Sequence, residues 1–307
     1  MTVLAAASKS RPGQSEQPAR GVDPARRRRF ALLLGLPVVW WILVLGVPYI
    51  LMIVISFWPV TFLNMRPGFT LTNWETVFTV PLYWQALLRS IKVGLIVTVI
   101  ALVIGYPVAY FIATRVKRRP TLYYVLFQIP LWVSYLIRAY AWRVILGDNG
   151  VINQALMATG ITSQPVKWLL FTQFSVVLVI TTMFIPFMVM SIYPSLAAIP
   201  PSLREAAKDL HAGRFRTLLK VTLPLSLPGV IVGCTYSLAI SFGDFIAPTL
   251  VGGPRSTMMT QLIFNNIGVA YDWPLAAALG LTMFIVILPL VMASSRFEGN
   301  ERLLMGR

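Results

Sequence analysis

Two residue types that carry much of enzyme chemistry are nearly missing from this sequence. It holds one cysteine and one histidine in 307 residues. One cysteine excludes an intrachain disulfide framework. One histidine leaves no His-based metal site and no catalytic histidine pair. Acidic residues are scarce as well, 10 Asp and Glu against 26 Lys and Arg, for a net charge of +16. Charged residues total 12%, where a soluble domain carries about 25% to cover its surface. No glycine is followed by lysine anywhere, so no GxxxxGK[ST] loop can cradle ATP phosphates. HExxH and GxSxG are absent too. These features argue against a soluble enzyme, and the chain has no P-loop of its own to cradle ATP.

Apolar residues fill the space that charge leaves. They make up 57% of the chain, the mean hydropathy is +0.74, and they come in long blocks. A spanning helix needs about 20 predominantly apolar residues. Phe30–Trp58, Val93–Thr114, Trp168–Leu203, Val221–Gly243 and Trp273–Ser295 are uncharged blocks of that size, and Thr121–Gly147 is interrupted only by Arg138 and Arg143. The fold class that follows is all-α, a polytopic membrane protein with six transmembrane helices near 31–57, 92–114, 121–146, 169–193, 225–250 and 274–295. Pro37, Pro48, Pro107, Pro130, Pro186 and Pro289 fall inside these blocks. Neighbouring helices can satisfy the carbonyls such prolines free, so kinks are expected rather than breaks.

Charge sets the orientation. With the N-terminus inside, the cytoplasmic segments 1–29, 115–120, 194–224 and 296–307 carry 19 of the 26 Lys and Arg. Both termini are therefore expected in the cytoplasm. Residues 1–29, rich in Pro, Ser, Gly and Arg, read as a disordered basic tail. Residues 30–296 form the transmembrane domain and 297–307 a short second tail. The Arg26–Arg29 run stands directly before a span, where it anchors topology on anionic lipid; nucleic acid is not an expected partner. The following apolar run is too long for a cleaved signal peptide.

The 194–224 segment is more than a connector. Pro200 and Pro201 break the chain, then Ser202 with Glu205 three residues on predicts a capping box opening a helix to about Ala212. A second helical stretch over 214–222 leads to Leu223-Pro224. The first helix has a weak apolar face of Leu203, Ala206, Ala207 and Leu210. A membrane-surface helix would carry bulkier residues, and small ones suit close approach of a cytoplasmic protein.

Glu205-Ala206-Ala207, a spacer, and Val221-x-Leu223-Pro224 resemble the EAA loop of ABC importer permeases. Asp209 lies within the motif, and the family glycine falls on His211. Gly213, two residues on, is the expected supplier of the turn, since a left-handed backbone costs histidine more than glycine. Pro130-Leu131-Trp132, Leu136–Tyr140, Pro186–Met190, Phe242–Pro248 with Gly252-Gly253, and Asp272-Trp273-Pro274 are similar to the spermidine/putrescine branch of that family. The resemblance implies a type I importer permease in a bacterial inner membrane. It implies a second, homologous permease subunit, two ATP-binding subunits that hold ATP and Mg, and a periplasmic substrate-binding protein, with no cofactor in this chain. It also makes the outward loops 58–90, 147–168 and 251–273, with Glu75, Asp148 and Asp272, docking surfaces for that binding protein. Polyamine import is the function implied. Another small solute, a self-sufficient secondary transporter and a membrane scaffold remain alternatives.

A polyamine path needs carboxylates, hydroxyls, carbonyls or aromatic faces. Asp244 is the one acidic residue within an expected span, and an acid at that depth is costly and functional by default. A structural ion pair with Arg138 or Arg143 is the competing explanation. Ser241, three residues before Asp244, and Tyr236 share its helix. Tyr140 and Trp142 join Arg138 as path candidates on the third span. There Trp132 and Tyr135 add to an aromatic crowd that packing and an interfacial belt also explain.

Overall fold

A computed structural model describes residues 24–61 and 64–304. Residues 1–23, most of the expected disordered tail, lie outside the described residues. The chain divides into two compact units, Met1–Leu51 and Met52–Arg307. The first holds most of helix α1 (Pro24–Ser56), which takes in the Arg26–Arg29 run as helix rather than as tail.

Among the described residues the regular structure of the second unit is helical apart from one pair of two-residue strands, β1 (Val60–Thr61) paired antiparallel with β2 (Asn64–Met65). Helix α2 (Thr72–Thr79) precedes α3 (Pro81–Arg115). Two short helices follow, α4 (Pro120–Gln128) and α5 (Tyr135–Leu146), then α6 (Val151–Ala158). The long α7 (Gln173–Ala197) leads to α8 (Pro201–Asp209) and α9 (Arg214–Thr217). The last four are α10 (Leu223–Phe242), α11 (Ile246–Val251), α12 (Met259–Gly268) and α13 (Trp273–Leu304).

Five of these segments are long and apolar enough to cross a bilayer, and a broken pair makes a sixth. That matches the number of spans expected, but three spans differ in form. The second begins at Pro81, about three turns before the expected 92. Its charges mislead: Arg89 donates to the Thr257 carbonyl at 2.7 Å, so it is paired inside the fold rather than left outside it. The third is not one helix. Between the Pro120–Trp132 and Tyr135–Ala158 segments the chain bends by 82°. Pro130 cannot donate to the α ladder, the chain tightens into a 3-10 turn over Ile129–Trp132, and the break itself falls at Val133 and Ser134, whose backbone is extended. The fifth runs from Arg214 and ends at Phe242, so 243–250 are not its continuation: Gly243–Phe245 form a break and α11 starts afresh.

Helices α3, α7 and α10 form the centre. Val93, Val97 and Ala101 of α3 pack with Val179, Ile180 and Met188 of α7 and Val230 of α10. Gly229 and Gly233, four apart on α10, let α7 come close. A Cβ at 229 would lie 2.6 Å from the Ser191 carbonyl oxygen, and one at 233 would lie 2.6 Å from Met188 Sδ. This is the small-xxx-small mode of packing in lipid, where close backbone approach replaces hydrophobic burial as the driving force. Tyr106 of α3 and Ser226 of α10 share a hydrogen bond of 3.0 Å. A second cluster joins Leu87 of α3, Phe242, Met259 of α12 and Leu279 of α13.

Candidate functional site: a cleft at two helix breaks

The two broken spans meet. A cleft of about 330 Å³ is lined by Tyr135 and Arg138 of α5, by Met183, Phe184 and Phe187 from the middle of α7, and by Ile240 and Gly243–Ile246 around the α10–α11 break. Its walls are mainly apolar and aromatic, with a few polar groups converging, as small-molecule sites are built. Discontinuous helices near mid-membrane are where transporters place such sites.

Asp244 is buried in the break. Its Oδ1 accepts the N–H groups of Ile246 at 2.8 Å and Ala247 at 3.2 Å, which caps α11. Its Oδ2 accepts the phenol O–H of Tyr135. Its own carbonyl takes the Thr260 hydroxyl at 2.8 Å. The ion pair weighed for Asp244 is thus replaced by a tyrosine: neither arginine is its hydrogen-bond partner. The Arg143 guanidinium sits 5.7 Å from the Phe171 ring centre. Arg138 sits 6.0 Å from the ring centre of Tyr135, and its buried Nε has no hydrogen-bond partner among the described residues.

Of the six path candidates, Asp244 and Arg138 line the cleft. Ser241 is fully buried and turned to its own helix, donating to the Ser237 carbonyl, with α3 at Gly94 beside it. Tyr236 and Tyr140 are exposed, 58% and 49%, where lipid or a partner would cover them. Trp142 is half-buried against the central core. These four do not share the cleft. Tyr135 does, and the sequence hid it among four aromatics of the third span. Its signal was the spacing of three to Arg138, which sets both on one side of α5.

The 194–224 loop forms a second site. Helix α8 starts at Pro201 with Pro200 as its cap and no side-chain cap bond. The capping box expected of Ser202 and Glu205 is not made. Proline at the first position removes one orphan donor and presets φ, which leaves Glu205 exposed. Ala206 and Asp209 are exposed as well, and Ala207 is buried.

The helix ends in a Schellman turn. His211 N–H donates to the Lys208 carbonyl at 2.8 Å and Ala212 N–H to the Ala207 carbonyl at 3.0 Å. His211 itself takes the left-handed conformation, φ 59°. Gly213, expected to make this turn, has φ −59° and caps α9. The histidine therefore does the glycine's work, with its side chain exposed.

From α9 the helix continues through a widened π turn, Leu218–Thr222, into α10. Pro224 accounts for the widening. It has no N–H, and its ring displaces the carbonyl four residues back, that of Lys220. Leu223 is half-buried and Pro224 exposed.

The model of one protein family, the binding-protein-dependent transport system inner membrane component, matches residues 22–298. The chain belongs to that family. It is a multi-pass inner membrane permease component. The spermidine/putrescine transport system permease protein PotB of Escherichia coli is 34% identical over 252 residues, 81% of this chain and 90% of the relative. PotB of Haemophilus influenzae is 32% identical over 253 residues, with 81% and 87% covered. Among solved structures, a bacterial ABC transporter that imports the acidic polysaccharide alginate superposes with a TM-score of 0.72 at 18% identity, covering 90% of this chain and 97% of the other. That likeness establishes the importer-permease fold.

Proposed function

We propose that this chain is the membrane-spanning permease subunit of an ABC importer that carries polyamines, putrescine- or spermidine-like cations, into the cytoplasm. The carrying observation is the 34% identity to PotB over four-fifths of the chain. The partners are then a second permease, two ATP-binding subunits and a periplasmic binding protein. ATP and Mg are held by the ATP-binding subunits, and this permease catalyses no reaction. Both termini and the 194–224 loop face the cytoplasm, in keeping with the clustering of Lys and Arg.

The loop is suited to transmit motion. Glu205, Asp209 and Leu210 offer an exposed docking face on α8, the His211 turn fixes its angle, and the π turn before Leu223-Pro224 joins it to α10 without a hinge. At the far end of α10 lies Asp244. Twenty residues at about 1.5 Å each separate them by about 30 Å, so a tilt of α8 is delivered to the cleft along one helix.

ATPase activity of the reconstituted importer tests this, with the binding protein offered a panel of ligands. Putrescine or spermidine should stimulate it, and Glu205→Lys should abolish most of the stimulation while the permease still inserts. Stimulation by another ligand keeps the mechanism and overturns the substrate. If no ATP-binding subunit assembles with the chain, the importer role fails. A different solute is a specific second reading, because Arg138 places a cation in the cleft. The molybdenum permease ModB of Escherichia coli is also 32% identical over 163 residues.

A further inference from the structure

The cleft contains one acid and two groups that can answer it. Asp244 holds Tyr135 through Oδ2, while Oδ1 is committed to the N–H groups that start α11. Arg138 lines the same cleft, three residues further along α5. Its Nε is buried and unpartnered among the described residues. Three residues at about 1.5 Å rise separate the two by about 4.5 Å along the helix axis. Both breaks lie beside this cluster, α5 beginning just after the 82° bend and Asp244 sitting in the gap between α10 and α11.

We propose that Asp244 is a two-position latch between the broken third and fifth spans: it holds Tyr135 in this conformation and takes Arg138 when α5 slides by about one turn. Movement of one packed element past another by a turn is a known route for two-state transitions. Each position satisfies the carboxylate. Each leaves one of the two α5 groups without it, so neither position is favoured so strongly that the other is unreachable. An element both sites can bias needs two such discrete arrangements. Asp244 and Tyr135 thereby act as positioning residues that set the width of the cleft. Arg138 is a counter-ion in waiting rather than a contact for a cationic solute. The link to nucleotide rests on the importer role proposed above; the latch itself does not.

Distances between spin labels on α5 and α11 test it. Val144 and Thr249 are exposed positions on those helices, and Cys234, the native cysteine, is replaced by serine. The labelled full-length chain, alone and with its ATP-binding subunits, is placed in nanodiscs. Wild type without nucleotide should show mainly one distance, with a second gaining when ATP is trapped by vanadate. Tyr135→Phe keeps the ring and removes the O–H. It should raise the second population several-fold without nucleotide. Arg138→Gln should deplete that population below wild type. The latch is overturned if the two variants leave the distribution unchanged or shift it the same way. This comparison needs neither nucleotide nor solute, so it is decided even if the importer role fails. Opposite shifts in a complex that polyamines do not stimulate would uphold the latch and sink the substrate.

Discussion

His211 shows how much one backbone angle can say about one residue. A histidine at φ 59° holds a turn that glycine holds at no steric cost, and such a conformation costs a non-glycine residue about 1–3 kcal/mol. Replacing it by glycine relieves that strain but frees the unfolded chain, which offsets about 0.4–1 kcal/mol. His211→Gly should therefore leave thermal stability unchanged or slightly raised. His211→Val, β-branched in the same geometry, should lower it by about 1–2 kcal/mol or more. Melting of the purified protein in detergent measures both, and a valine variant that melts with wild type would remove the strain argument. Asp244 makes the same point in chemistry. Sequence singled it out because an acid in a span is expensive. Its environment, three donors already in place, depended on one residue 109 positions away and on the backbone two and three residues further along the chain.

At the scale of elements, the apolar blocks revealed where the helices cross because lipid leaves the backbone no other solution. They did not reveal where helices break. Hydropathy runs unchanged through Val133-Ser134 and through Gly243, and Pro130 looks like the prolines that α7 absorbs at 186 and 194. What separates a kink from a break is the partner that satisfies the freed groups, and such partners are remote: Tyr135 for Asp244, Thr260 for the Asp244 carbonyl, Ser175 for the Val251 carbonyl at 2.7 Å. The EAA loop was legible because its spacing is local. Its cap was not, since Pro201 made the Ser202 hydroxyl unnecessary. Helix contact through Gly229 gives a direct check. Gly229→Ala places a methyl against backbone that cannot swing aside, and overpacking of this kind costs about 1–3 kcal/mol. Gly213→Ala, with nothing within 4 Å, is the control. Equal melting temperatures for the two would mean that α7 and α10 are not as close as described.

For the whole molecule, orientation is the property that charge alone proposes. Leu210 is 83% exposed and Ile161 70% exposed, on loops assigned to opposite sides. In a Cys234→Ser background, Ile161→Cys should react with a membrane-impermeant maleimide applied from the periplasmic side. Leu210→Cys should react only after the membrane is opened. The reverse pattern would invert the molecule and detach the 194–224 loop from any cytoplasmic ATPase.

The Gly229–Gly233 seam lies on one stretch of α10 and the cleft on another. Met188 fills the seam between Gly233 and Gly105, and none of these residues lines the cleft. The seam and the cleft therefore draw on separate residues of α10. Under the proposed role of the cleft, exchange of the exposed Ile240 or Phe245 would change what a solute meets without touching that joint, whereas Phe184, 3% exposed, belongs to the central core that holds it. Cargo and frame would then be separable on the α10 side of the cleft and joined on the α7 side, where Met183 and Phe184 serve both.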